Sequence, residues 1–287
     1  MDALLTAFKA LWLLIWLIAA SSVEAAGQVV FVTHTSAPSV EQLAEKTRTL
    51  SGFDIQVINA AQAPAADAQA CVVIGPQVLE GWSGCAGKPV IAVFVTRQQV
   101  AAHDGLASAV YLEPPLSRQI QLARAILGDD RPLGVLVGDR ALWKPAKPDP
   151  LVTPYFTDQF PSLTHALIAL LRNSHALIGI YDTELYSSEN IKNILITAYR
   201  QNKPLIGPSS AYIKAGALAT TFSDLDDVAR RLSEVLKTGL REGVWPEAGY
   251  NPYFSVRYNP QVGRSLNLLL PDAAELADKL AKEEQRP

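Results

Sequence analysis

The 287-residue sequence has only two cysteines, four scattered histidines, and one methionine, the first residue. Neither cysteine belongs to a C-x-x-C pair, and the histidines lack ligand spacing, so no structural zinc site is encoded. No Lys/Arg cluster stands out, and net charge is −3. Phosphate binding needs a positive field, which argues against a nucleic-acid partner. Neither G-x-x-x-x-G-K-[ST] nor G-x-G-x-x-G occurs, so the common nucleotide-binding loops are absent, and no cofactor is expected. No apolar run reaches the roughly 20 residues that span a hydrocarbon core.

The longest apolar run is Ala10–Ala20, after a short segment carrying Lys9. Small residues follow, with Val23 and Ala25 at the −3 and −1 positions of a signal-peptidase site. This layout predicts a cleaved secretory signal over 1–25 and a periplasmic mature chain. The rival, an uncleaved anchor, is disfavoured by the short run, and no Cys follows to carry lipid. In an oxidising compartment Cys71 and Cys85 form a candidate disulfide. Cys71 opens the run CVVIG and Cys85 just precedes PVIAVFV. If these are neighbouring parallel strands, both sulfurs lie at one end of a sheet. Two buried thiols are the alternative.

The remainder alternates short β-branched runs with helical stripes, the pattern of parallel sheets covered on both faces. Strands are expected at QVVFVT (28–33), DIQVIN (54–59), CVVIG (71–75), PVIAVFV (89–95), AVYL (109–112), PLGVLVG (132–138), ALIGIY (176–181), PLIG (204–207) and FSVRY (254–258). Ser39 with Gln42, and Ser223 with Asp226, are expected to cap helices. The stripe Ile191, Ile194, Leu195, Ala198 and Tyr199 marks another helix, and the four prolines of 144–154 predict a loop. A Pro114-Pro115 pair suits a stiff crossing between two halves.

In open α/β sheets ligands bind beyond the carboxyl ends of strands. That rule selects 33–36, 75–77 (with Gly75), 96–97, 113–118, 139–143, 182–190 and 208–212 (with Tyr212). Their hydroxyls, acids and aromatics suit a small polar or zwitterionic solute with an apolar part. Gly207-Pro208-Ser209-Ser210-Ala211 imitates a nucleophile elbow, but every histidine precedes Ser209. The Ser, acid, His order of that fold cannot be made, so no enzyme is expected.

The segment Ala176–Arg231 carries Asp182, then Asn190-Ile191, Pro204–Gly207, Ser209-Ser210 and Lys214–Thr220 (KAGALAT) in order. With the tail FSVRYNPQVGRSLNL, it resembles the substrate-binding proteins of ABC transporters, in the branch that includes tryptophan- and aromatic amino-acid-binding members. The resemblance implies a type I periplasmic binding protein: α/β, two Rossmann-like lobes with parallel sheets and a hinge. The N-terminal lobe would be 26–114 plus about 222–250. The C-terminal lobe would be 115–221 plus about 251–270, with 271–287 a C-terminal helix or tail.

By position, Asp182, Thr183, Ser209 and Ser210 would meet the ligand from one lobe, and Thr35 and Ser36 from the other. The implied partners are a small-molecule ligand and an inner-membrane ABC permease. A sensing protein of the same fold, working with a membrane kinase or an outer-membrane receptor, is the alternative. The implied solute is an amino acid or related compound, although Tyr181–Glu184 departs from the Pro-Thr-Asp-Asn type of loop of the aromatic amino-acid binders.

Overall fold

The computed structural model describes residues 28–64, 66–85, 87–145 and 147–285. The expected signal segment lies outside them. In chain order come β1 (Gln28–Thr33), α1 (Pro38–Ser51), β2 (Asp54–Asn59), β3 (Ala70–Ile74), α2 (Pro76–Gly81), β4 (Val90–Val95), α3 (Arg97–Ala101) and β5 (Ser108–Tyr111). Then follow α4 (Leu116–Leu127), β6 (Leu133–Val137), β7 (Val152–Phe156), α5 (Leu163–Asn173), β8 (Ala176–Ile178), α6 (Ser188–Arg200), β9 (Leu205–Ile206), α7 (Ala211–Ala215) and β10 (Ala219–Phe222). The chain closes with α8 (Leu225–Glu242), β11 (Gly249–Tyr250), β12 (Ser255–Tyr258), α9 (Pro260–Ser265) and α10 (Ala273–Glu284).

These strands form two six-stranded sheets, ordered β11-β5-β4-β3-β1-β2 and β12-β10-β9-β8-β6-β7. The first is parallel throughout; in the second only β12 runs antiparallel, against β10. The unbroken apolar runs follow from this burial on both faces. Along β1, Val29 and Phe31 enter one core with Leu43, Leu232 and Leu236. Val30 and Val32 enter the other, with Cys71 and Val73. A strand alternating sides every residue needs apolar side chains at all positions when both sides are dry. The second sheet centres on Leu133–Val137, Leu177 and Leu205, under Leu170 and Leu171 of α5.

Four local expectations need correction. Helix α1 begins at Pro38, whose missing N–H costs nothing at the first helical position, and Ser39 does not cap it. Asp224, not Ser223, caps α8 in a capping box with Asp227; the Ser223 hydroxyl donates to the Tyr253 carbonyl instead. The proline-rich stretch ends in β7, where Pro154 pairs in register with Val135. An edge strand tolerates a residue that cannot donate. Finally, Tyr199 is 52% exposed, because the buried stripe of α6 narrows to Ile194 and Ala198.

Cys71 and Cys85 form a disulfide with Cα atoms 6.4 Å apart, bracketing the short helix α2. Cys71 pairs in register with Val90 of β4, so the bond ties the entry of β4 to its neighbour β3. Closing a loop of about 15 residues stabilises a fold by roughly 3 kcal/mol in the chain-entropy account. Cys85→Ser is therefore expected to lower unfolding free energy by about 3 kcal/mol in denaturant titration, and added reductant should have no further effect on that variant.

Candidate functional site

The chain passes between the sheets three times: at 112–115 from β5 to α4, at 223–224 from β10 to α8, and at 251–254 from β11 to β12. Beside the first of these lies a cleft of two adjoining cavities, of ≈ 780 and ≈ 730 Å³. The inner one is lined by Arg97, Glu113, Gln119, Tyr181, Pro208 and Tyr250, the outer by Gln98, Asp139, Asp182, Thr183, Glu184 and Asn190 among others. Gln98, at the start of α3, donates across the cleft to the Asp139 carboxylate at 3.0 Å.

Thr96 caps α3 and holds its first turn through a reciprocal bond with Gln99, which sets Arg97 and Gln98 at the cleft. Glu113 sits at the first crossing. Its Oε1 accepts the Arg97 backbone N–H at 2.8 Å, while Oε2 is buried without a hydrogen-bond partner among the described residues. Burial pushes this carboxyl above the usual carboxylate range, against the lowering effect of the Arg97 N–H and charge. Tyr250 packs edge-on to Tyr111, ring centroids 5.1 Å apart. Burial raises the Tyr181 and Tyr250 phenols, so both face the cleft as neutral donors at physiological pH. Among the described residues the Arg97 guanidinium forms no salt bridge. The inner cavity therefore offers a cation, a carboxyl and phenol rings to one occupant.

Gln119, 1% exposed, fixes the far wall. Its Nε2 donates to the Gly207 carbonyl at 2.8 Å, and its Oε1 accepts from the backbone and hydroxyl of Thr221, both at 3.2 Å. The Pro208 turn also packs closely on Gly179, where an added Cβ would stand 2.7 Å from the proline ring.

Asp182 and Thr183 both line the outer cavity. The Asp182 carboxylate is turned inward: it accepts the backbone N–H groups of Gly138, Asp139 and Leu185 at 3.2, 3.3 and 2.9 Å. It thus ties the loop after β8 to the loop after β6. Thr35 and Ser36 are exposed and line neither cavity, and Thr35 closes a local turn with Thr33. Gly75 takes a positive φ of 84° ahead of α2, also outside both cavities. Ser209 and Ser210 stand in the turn whose Pro208 reaches the inner cavity. Tyr212 donates to the Tyr186 carbonyl at 2.8 Å and props that turn from behind.

Arg97, Glu113, Tyr181, Tyr250 and Gln119 were not singled out by the family likeness. The strand-end rule had marked 96–97 and 113–118, which contain two of them, Arg97 and Glu113. Tyr250 needed the topology, because it reaches the cleft from a two-residue strand far along the chain.

No protein-family model matches the chain, and no curated protein is significantly similar. Solved structures do match. An ABC domain from Streptococcus pneumoniae in complex with L-Trp is 14% identical, with 86% of this chain and 97% of that one covered and a TM-score of 0.51. The ligand-free, open structure of CD0873 from Clostridium difficile, a substrate binding protein with adhesive properties, is 12% identical over 86% and 96%, with a TM-score of 0.63. A XylFII–LytSN complex is 12% identical over 82% and 99%, with a TM-score of 0.55.

Two substitutions test the wall positions. Asp182→Ala strands buried N–H groups and should cost about 1–3 kcal/mol in denaturant titration. For Glu113 the folded-state pKa lies above the unfolded one, so native stability falls as pH rises from the ordinary carboxylate value through the raised one. Glu113→Gln removes that loss: its melting temperature should exceed the parent's at neutral pH, with the gain vanishing in acid. Such likeness in architecture, at low identity, assigns a fold: the chain has the two-lobe α/β fold of type I periplasmic binding proteins.

Proposed function

We propose that the chain is the periplasmic substrate-binding protein of an ABC-type uptake system, capturing a small solute between its lobes. The observation that carries this reading is the cleft itself. It is bordered by the first chain crossing, lined by both lobes, and furnished at its inner end with Arg97, Glu113, Tyr181 and Tyr250. Binding works by differential affinity: a solute touching both lobes favours the closed arrangement over the open one. The solute class we propose is an amino acid or related compound. A guanidinium and a carboxyl beside phenol rings suit it, and the Streptococcus pneumoniae neighbour holds L-Trp. An inner-membrane permease would receive the loaded protein.

A reading as a sensor that presents its state to a membrane kinase or outer-membrane receptor draws support from the neighbour solved as a XylFII–LytSN complex. No helix among the described residues is long and apolar enough to cross a membrane.

Native mass spectrometry of freshly purified protein should reveal a bound small molecule at one per chain. A thermal-shift panel of amino acids, vitamins and small peptides should then identify its class. Arg97→Gln and Tyr181→Ala are each expected to weaken binding about tenfold, the equivalent of 1.4 kcal/mol. Absence of any bound molecule and of any shift across the panel would contradict the reading.

A further inference from the structure

The third crossing is gripped from both lobes, and the two grips differ in kind. On one side Arg118 of α4, 2% exposed, donates from Nε and Nη2 to the two carboxylate oxygens of Glu284 in α10, both at 2.7 Å. The same Nη2 donates to the Asn251 carbonyl at 3.0 Å, and the guanidinium carbon lies 3.8 Å from the centre of the Phe254 ring. A single buried cation thus joins the helix that follows the first crossing, the backbone of the third, and the C-terminal helix. On the other side Tyr253 donates to Glu234 of α8 and stacks under Arg230 at 3.8 Å, while its carbonyl accepts from Ser223 at the second crossing. All three crossings are therefore linked through residues 251–254 and Arg118.

The crossings are not internally satisfied in this arrangement. Asn251, 3% exposed, leaves Nδ2 without a partner among the described residues, and Glu113 leaves Oε2. A buried donor and a buried acceptor left unmet favour movement of the segments that carry them. What opposes that movement is the Arg118 grip, because a paired guanidinium in a dry site cannot lose its carboxylate cheaply. The carboxylate is supplied by α10, whose position is set independently: Leu276 and Leu280 anchor that helix in the core of the second lobe.

We propose that α10 is a latch on the hinge: Glu284, through Arg118, holds the third crossing and so fixes the angle between the lobes. Freeing Arg118 from Glu284 releases the crossing and lets the lobes sample other angles. A partner that grasped the end of α10 would thereby alter solute affinity without touching the cleft. The inference rests on the two-lobe cleft of the proposed function but on no particular solute.

The test uses ligand-free, full-length protein, so that failure to find a solute does not bear on it. Spin labels go on cysteines introduced at exposed Gln42 of α1 and Lys192 of α6, one in each lobe, and pulsed dipolar spectroscopy reads their distance distribution. Glu284→Gln should shift the mean distance or add a second maximum. Arg118→Lys, which keeps the charge but loses the planar fork, should do the same and decides the matter if Glu284→Gln fails to fold. Glu283→Gln, one residue away and outside the clasp, should leave the parental distribution. Parental distributions in both clasp variants, or an equal change in Glu283→Gln, would overturn the latch.

Discussion

The chain crosses between its sheets three times, and the architecture of the cleft depends on how those crossings are held. Each sheet can be built locally, from βα units whose strands are buried on both faces. The angle between the sheets has no such local origin. It rests on a few side chains at the crossings, chief among them Arg118, which sits where a lone charge would be costly and is matched by Glu284, the Asn251 carbonyl and the Phe254 ring. The position of the cleft walls relative to each other, and hence any capacity to embrace a solute, follows from that arrangement.

Rigidity within each wall complements freedom between them. Gln119 spends its full amide on the ends of β9 and β10, and Asp182 binds the loops after β6 and β8 into one unit. Tyr212 and Tyr186 brace the Pro208 turn. Walls fixed in this way present Arg97, Glu113, Tyr181 and Tyr250 in set places, which lowers the ordering cost of binding.

Much of the fold was legible in the sequence because two-sided burial writes itself as unbroken apolar runs, and helices as a 3.6-residue stripe. The strand at Gln28–Thr33 needed nothing more. Finer features failed where tertiary context decided. Pro154 reads as a loop breaker until its strand is known to lie on an edge, and Tyr199 fits the stripe of α6 although that helix buries only a narrow face. The site was less legible. Strand-end position pointed to 96–97 and 113–118, while the family resemblance pointed to Ser209 and Ser210, in the turn whose Pro208 reaches the inner cavity. No local pattern marks Arg118 or Gln119 as buried, since polar residues in a helix ordinarily face water.

The proposed function places a solute between the lobes at the hinge end of the cleft. Its most direct test is a crystal structure of the protein purified with whatever molecule it carries. Difference density is expected to be enclosed by both lobes, in contact with Tyr181 and Tyr250 and within hydrogen-bonding reach of Arg97. Density bound to one lobe alone, or at a surface away from the three crossings, would contradict it.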